Sequence, residues 1–192
     1  CQNPERLVLS FIKSACRLGA VAANYTEAVR VQQYQDGSVV VFANDNLTGQ
    51  TIEINSEKVI NCTGPWFNNT IKLLANSTEK TFQDLAVGLN IVTKPILPTQ
   101  NAVAFRNISV NDARLYFVVP WRGLSIIGTE WFRFDKEIDQ FQVKEEHCAA
   151  ILAKINTAFP PARLTLNDVT FVHGGLVPCA SPDRPGREMP II

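Results

Sequence analysis

The run Ile60-Asn61-Cys62-Thr63-Gly64-Pro65-Trp66 has the composition of a turn that lets a ligand reach the main chain. Gly64 carries no Cβ, so a nucleotide phosphate could approach the backbone there. A helix opening just after the turn would aim unpaired N–H groups at that anion. An ordinary strand-to-helix turn has the same composition. His173 ends an apolar stretch beside Gly174 and Gly175. It could serve as a base or a substrate ligand, or simply close a strand with its ring satisfied. Arg114 and Arg122 flank Leu115–Val119, and either guanidinium could grip an anionic substrate through two parallel N–H bonds, or sit solvated on the surface. Thr129 and Glu130 would edge a pocket if their strand points at one. Trp66, Trp121 and Trp131 border turns, where an indole can stack on a flat ring or pack in a core.

Other chemistries find no support in the spacing. His147 lies among Glu145, Glu146 and Cys148, which is not a metal-ligand pattern, and the five cysteines form no CxxC pair. No metal is expected. No Ser-His-Asp arrangement can be assembled, and no complete G-x-G-x-x-G is present. A dinucleotide bound by the parent protein would therefore have its main phosphate grip outside this stretch.

These residues need elements to hold them. Residues 4–18 read as an amphipathic helix, with Leu7, Val8, Phe11, Ile12, Ala15 and Leu18 on one stripe, Pro4 in its first turn and Gly19 at its stop. Ala20–Asn24 then reads as a short strand of a parallel sheet. Ala28–Tyr34, Val39–Ala43 and Thr51–Ile54 predict a three-stranded meander over about 28–55, turning at Asp36-Gly37 and at Asp45–Gly49. Lys58–Cys62 is nearly continuous in apolar residues, as a central parallel strand would be, and feeds a helix over Trp66–Ala75. Strands are expected at Leu85–Thr93, Ala102–Phe105, Leu115–Val119 (stopped by Pro120), Leu124–Ile127 and Asp168–His173, and a helix over about 143–158. The fold class is mixed, α+β with α/β character. It comprises an α/β lobe over about 1–80 and a strand-rich lobe with one helix across a face over about 81–192.

Composition narrows the function classes. Eighteen Lys plus Arg balance eighteen Asp plus Glu, which argues against a general nucleic-acid binder, since phosphate attraction needs excess positive charge. Apolar residues at 46% and charged residues at 19% fit a globular chain rather than a disordered one. Scattered cysteines, odd in number, fit a reducing compartment, and the Asn-x-Ser/Thr triplets read as coincidental. The opening at Cys1 and the ending at Ile192 read as an internal fragment of a longer protein.

Taken in order, several stretches resemble the FAD-dependent glycerol-3-phosphate dehydrogenase family, within the D-amino-acid-oxidase-like flavoproteins. They are Asn3-Pro4-Glu5-Arg6-Leu7, Gly19-Ala20 with Asn24-Tyr25-Thr26-Glu27, and Ile60 to Trp66, which is similar to that family's "NATGPW" turn. Asp112 to Phe117 with Val119-Pro120-Trp121 resembles its Arg-x-x-Phe-x-x-Pro hairpin, and Ile127 to Glu130 its "IGTTD" segment. Asn156, Phe159-Pro160, Asp168-Val169 and Gly175-Leu176-Val177-Pro178 follow its closing pattern.

The resemblance implies an FAD-binding lobe, with Thr63, Gly64 and Pro65 near the FAD phosphates and the backbone around Ala28 near the adenine. It implies a partial, Rossmann-like FAD-binding lobe over 1–80 and a mostly antiparallel substrate-binding lobe over 81–192, and in the latter the residues themselves offer Arg114, Arg122 and His173 as the catalytic candidates. The reaction implied is hydride transfer from glycerol 3-phosphate to flavin, giving dihydroxyacetone phosphate, with electrons leaving to a quinone or oxygen. The location implied is the cytoplasm, with peripheral association at the membrane surface. FAD is expected in the full-length protein, and the fragment alone is expected to bind it poorly and to be inactive. Two positions depart from the family: Val177 stands where its "GLRPL" has Arg, and Thr129-Glu130-Trp131 stands for "TTD". Val cannot neutralise a phosphate, so an amine or 2-hydroxy-acid flavoenzyme is the alternative substrate reading. A non-enzymatic interaction module is the other.

Overall fold

A computed structural model of the chain describes residues 3–73, 84–106 and 115–179. Two compact units divide it, Cys1–Lys80 and Thr81–Ile192.

The first unit opens with α1 (Pro4–Arg17). Asn3 caps it by accepting from Arg6 N–H at 3.0 Å, Pro4 occupies the first turn, and Gly19 at φ 98° ends it. Its apolar stripe is present but no residue of α1 is buried. Next come β1 (Thr26–Gln33), β2 (Val39–Asp45) and β3 (Thr51–Ser56), an antiparallel meander in that order. The turns form where Asp and Gly predict them. Asp36 Oδ1 accepts from Ser38 N–H at 2.9 Å beside Gly37 at φ 86°, and Asp45 Oδ1 accepts from Leu47 N–H at 2.8 Å ahead of Gly49 at φ 74°.

Two expected strands are not formed. Ala20–Asn24 has no strand conformation and Val21 is 95% exposed. Lys58–Cys62 is likewise irregular, with Ile60 84% exposed. Both segments have strand composition, but a strand exists only by pairing, and the described residues of this unit offer neither a parallel neighbour. The helix after the turn is also shorter than predicted: a 3₁₀ turn over Gly64–Trp66 leads into α2 (Phe67–Ile71).

The second unit is a five-stranded antiparallel sheet with one helix packed on one face. Its strands are β4 (Asp84–Thr93), β5 (Val103–Arg106), β6 (Leu115–Trp121), β7 (Leu124–Phe134) and β8 (Val169–Cys179), in the order β5-β6-β7-β4-β8. α3 (Glu145–Ala158) lays Cys148, Ile151, Leu152 and Ile155 against Leu89, Ile91, Tyr116, Val118 and Ile127. We call this the inner face of the sheet. Gly174 belongs to it, since a Cβ there would meet Val143 at 2.7 Å and Leu89 at 3.0 Å.

Pro120 does not stop β6, which runs on to Trp121. Trp121 and Leu124 flank a two-residue turn, Arg122-Gly123, with φ 52° and 78°, the signs of a type I′ hairpin. The flanking pair exchanges hydrogen bonds, so the Pro120 nitrogen faces away from β7, toward the side where β5 has already ended at Val103. No ladder bond is lost. Pro178 is tolerated in β8 because that strand is at the sheet edge. No helix of the described residues is long and apolar enough to cross a membrane.

Candidate functional site

In the first unit the turn at Thr63-Gly64-Pro65 is built by Asn61. Asn61 Oδ1 accepts from Thr63 N–H at 3.2 Å and from Thr63 Oγ1–H at 2.7 Å, while Asn61 Nδ2 donates to Phe67 C=O at 3.2 Å. Thr63 Oγ1 also lies 3.0 Å from Thr70 Oγ1, which donates to Trp66 C=O. One amide thus ties both ends of the turn to its middle. Gly64 takes φ 57°, and a Cβ there would have nothing within 4 Å. The left-handed backbone selects glycine, and the open space leaves its main chain approachable. The strand-plus-helix argument for an anion site does not carry over, because the strand is absent and α2 is only five residues long. Approach to Gly64 is what remains. Ala28 lies on β1 at a β-bulge, where pairing shifts between Ala28↔Ala43 and Arg30↔Phe42.

In the second unit Asn90, Thr129 and His173 lie on the outer face of the sheet, opposite α3. Asn90 of β4 is directly opposite His173 of β8, so both side chains share a face. Thr129 Oγ1–H donates to Asn90 Oδ1 at 3.0 Å. β7 carries a bulge here: Leu89 pairs with Glu130 and Ile91 with Ile127, so Asn90 alone faces both Gly128 and Thr129. Only glycine fits at 128, since a Cβ would stand 2.2 Å from Asn90 Oδ1 and 3.0 Å from the Leu89 carbonyl. The ring of Phe171 stands edge-on to His173 at 4.8 Å, and Trp131 covers Gly88, where a Cβ would meet the indole at 2.8 Å. Between these two rings lies a partly exposed strip of Asn90, Thr129, His173 and the bare Gly175. With Asn90 Oδ1 occupied, its Nδ2 is a donor, and the imidazole can accept or donate. This arrangement can hold a hydroxyl and take its proton.

The predicted residues scatter. His173 lies on this strip. Arg122 is at the tip of the β6–β7 hairpin, 5.1 Å over the Trp121 ring, and four strand residues, roughly 13 Å, separate Leu124 beside it from Gly128. Arg114 lies outside the described residues. Val177 pairs with Ala86, which pairs in turn with Arg133 of β7, so a row across the sheet replaces a β8 guanidinium with one from β7. Thr129 is on the strip, but Glu130 points the other way, into the core at 1% exposure. His147 stacks on Phe132 at 4.7 Å and its Nδ1 accepts from Lys144 N–H at 3.2 Å, a helix-start contact. Among the described residues no three His, Cys, Asp or Glu converge as a metal would require. Asn90 was missed from sequence. Its signal was available: a lone amide between Leu89 and Ile91 in an otherwise apolar strand.

Across residues 1–192 the sequence matches the family described as FAD dependent oxidoreductase. The chain belongs to the FAD-dependent oxidoreductase family. Among this family's proteins, it is 31% identical to a glycerol-3-phosphate dehydrogenase of Synechocystis sp., over 91% of this chain and 33% of that protein. It is 31% identical to an alpha-glycerophosphate oxidase of Streptococcus pyogenes serotype M3, over 93% of this chain and 29% of that protein. The structure of the glycerol-3-phosphate dehydrogenase from Bacillus halodurans complexed with FAD superposes with a TM-score of 0.79 at 34% identity, covering 93% of this chain and 36% of that one. The chain spans about a third of the length of the curated relatives it matches.

Proposed function

We propose that this FAD-dependent oxidoreductase chain serves the oxidation of glycerol 3-phosphate to dihydroxyacetone phosphate, and that the outer strip of the second unit receives the substrate. The observation that carries this reading is the Asn90–Thr129–His173 cluster, three polar side chains held on one open sheet face by register and by a hydrogen bond. The relatives' names supply the substrate class.

Bound FAD supplies the hydride acceptor. Gly64 suits it by leaving its backbone open to a phosphate, in a turn that Asn61 has already ordered. Asn90 Nδ2 donates to the C2 oxygen and fixes its direction. His173 accepts the hydroxyl proton as the C2–H bond yields its hydride, so the alcohol becomes a carbonyl. Arg133 stands in row with Ala86 and Val177, roughly 13 Å along the strand from the Asn90 level, so it adds positive charge to the outer face without gripping the phosphate of a substrate held at Asn90. Phe132 before it faces His147 of α3, which turns Arg133 to the outer side. With FAD bound, a quinone or oxygen would be the final electron acceptor, and the protein would work in the cytoplasm at the membrane surface.

Turnover by the full-length, FAD-loaded protein tests this. Glycerol 3-phosphate should be the best substrate of a panel, and His173→Phe should lower kcat by about 10²-fold. Val177 favours a second reading, since an arginine missing from β8 suits an amine or a 2-hydroxy acid. A rate with glycerol 3-phosphate no better than with glycine or 2-hydroxyglutarate would decide for it. Full-length protein that purifies colourless and takes up no FAD would decide for an interaction module.

A further inference from the structure

Directly behind the outer strip, the inner face holds a charged cluster in which Glu130 and Tyr116 are buried and the Lys154 side chain is 33% exposed. Glu130 is 1% exposed, and its Oε2 accepts from Lys154 Nζ of α3 at 2.6 Å and from the hydroxyl of Tyr116 on β6. Its Oε1 accepts from Trp131 N–H at 3.1 Å. Tyr116 is itself 1% exposed, and Lys154 Nζ stands 5.9 Å over its ring. A carboxylate this deep is costly unless paired and hydrogen-bonded, and an apolar residue would pack the same place without that cost. The cluster therefore asks what its directionality accomplishes.

The answer lies in the chain neighbours. Glu130 follows Thr129 in the bulge of β7 and Trp131 follows it, so the two side chains that shape the outer strip are bonded to the residue pinned behind. A bulge is a weak point of a ladder, because its extra residue is left out of the pairing. Here two neighbouring elements hold the bulge from the rear, β6 through Tyr116 and α3 through Lys154, while the Trp131 amide of β7 itself fixes the second carboxylate oxygen. We infer that Tyr116, Glu130 and Lys154 are positioning residues, which fix the β7 bulge so that Thr129 locks Asn90 opposite His173. The inference rests on the outer strip being the substrate site. It adds that the orientation of the reacting hydroxyl is set from the far side of the sheet. Ion-pair directionality would hold one bulge geometry where an apolar plug would permit several.

The test is the variant Tyr116→Phe/Glu130→Leu/Lys154→Met in the full-length, FAD-loaded protein. It removes all three polar groups together and leaves no member of the trio buried alone. Its crystal structure should show the Thr129 Oγ1–Asn90 Oδ1 distance, 3.0 Å in the native chain, opened beyond hydrogen-bond range of about 3.5 Å. With glycerol 3-phosphate, kcat should fall by about 10-fold to 10²-fold while KM stays within about threefold, because misplacement of an orienting group acts on the chemical step. Lys154→Arg, which keeps the ion pair, should retain most of the native kcat. A distance still at 3.0 Å, or native kcat with the distance opened, overturns the inference. If the native protein is inert toward glycerol 3-phosphate, the substrate reading fails and the distance alone decides this one. Should the triple variant not fold, Tyr116→Phe carries the same two readouts. A kcat loss of about threefold at unchanged melting temperature supports positioning, and a native kcat refutes it.

Discussion

Two glycines on the outer strip make opposite predictions from the same substitution. At Gly128 an added methyl group would stand 2.2 Å from Asn90 Oδ1, 2.9 Å from Asn90 Cγ and 3.0 Å from the Leu89 carbonyl. The side chain can retreat, but the carbonyl belongs to the β4 backbone and cannot. Retreat of Asn90 also breaks its hydrogen bond from Thr129, worth about 1 kcal/mol, and overpacking against a fixed backbone costs about 1–3 kcal/mol. Gly128→Ala should therefore destabilise by about 2–4 kcal/mol. At Gly175 nothing lies within 4 Å of the added methyl and φ is outside the left-handed region. Gly175→Ala should gain up to about 0.4–1 kcal/mol by restricting the unfolded chain. Urea unfolding followed by tryptophan emission reads both. With a slope of about 2 kcal/mol/M, Gly128→Ala should lower the midpoint by about 1–2 M and Gly175→Ala should hold or raise it. The methyl at Gly175 stands two residues from His173 on the same face, so the full-length enzyme should show a raised KM despite the stability gained. A Gly128→Ala midpoint within roughly 0.3 M of native would refute the packing argument. A Gly175→Ala loss as large as that of Gly128→Ala would refute it too.

Three further outcomes follow from local geometry. Lys94 lies 2.8 Å from Asp168, and its hydrogen bond, with those from Thr165 N–H and Oγ1–H, holds the Asp168 carboxyl down to about 2 from an ordinary 3.8. Because the folded value is the lower one, this contribution is present above pH 4 and lost as pH falls toward 2. The difference in unfolding midpoint between native chain and Asp168→Asn should therefore shrink across that window. Asn61→Ala removes three hydrogen bonds that order the Gly64 turn, and should raise the FAD dissociation constant of the full-length protein about tenfold, read by flavin fluorescence quenching. Burial raises the thiol pKa of Cys148, with Glu145 adding to it, and burial raises that of Cys179, with Asp84 adding and Arg133 opposing. Both should resist a thiol reagent in the native chain at neutral pH while exposed Cys16 reacts, with labelled sites identified by peptide mass.

What the sequence made legible was whatever is decided within a few residues. α1 follows from Asn3, Pro4 and Gly19 with an apolar stripe between them, and the meander follows from alternation and from turns at Asp36-Gly37 and Asp45–Gly49. α3 was read the same way, and so were the starts of β6 and β7, although these strands run past their expected ends to Trp121 and Phe134. Two strands of the first unit that would need a parallel neighbour were read wrongly, whereas β4 and β8, paired although far apart in the chain, were expected. Ala20–Asn24 and Lys58–Cys62 have the composition of buried strands, yet composition cannot supply the partner that makes a strand. Arg122 illustrates a different limit. Its charge suggested ligand binding, while its φ of 52° in a two-residue turn gives it a structural place at a hairpin tip.

The outer strip was illegible for a reason that can be stated residue by residue. Asn90 and His173 meet only through the β4–β8 register, which no local pattern encodes. Strand alternation makes a definite and mistaken forecast for β7. A strict period of two places Ile127 and Thr129 on one face and Gly128 and Glu130 on the other. In the structure Ile127 is fully buried and Glu130 is 1% exposed, both on the inner side, while Thr129 reaches Asn90 on the outer side. Two inward residues three positions apart require one extra residue between them, which is the bulge. The sequence does hold a trace of it, because Gly128 interrupts a run of β-formers at the one position where a side chain would strike β4. A glycine inside a strand pattern marks either a bulge or a close approach. At Gly128 it marks both, and that coincidence is what turns an acidic residue inward and a hydroxyl outward from adjacent positions.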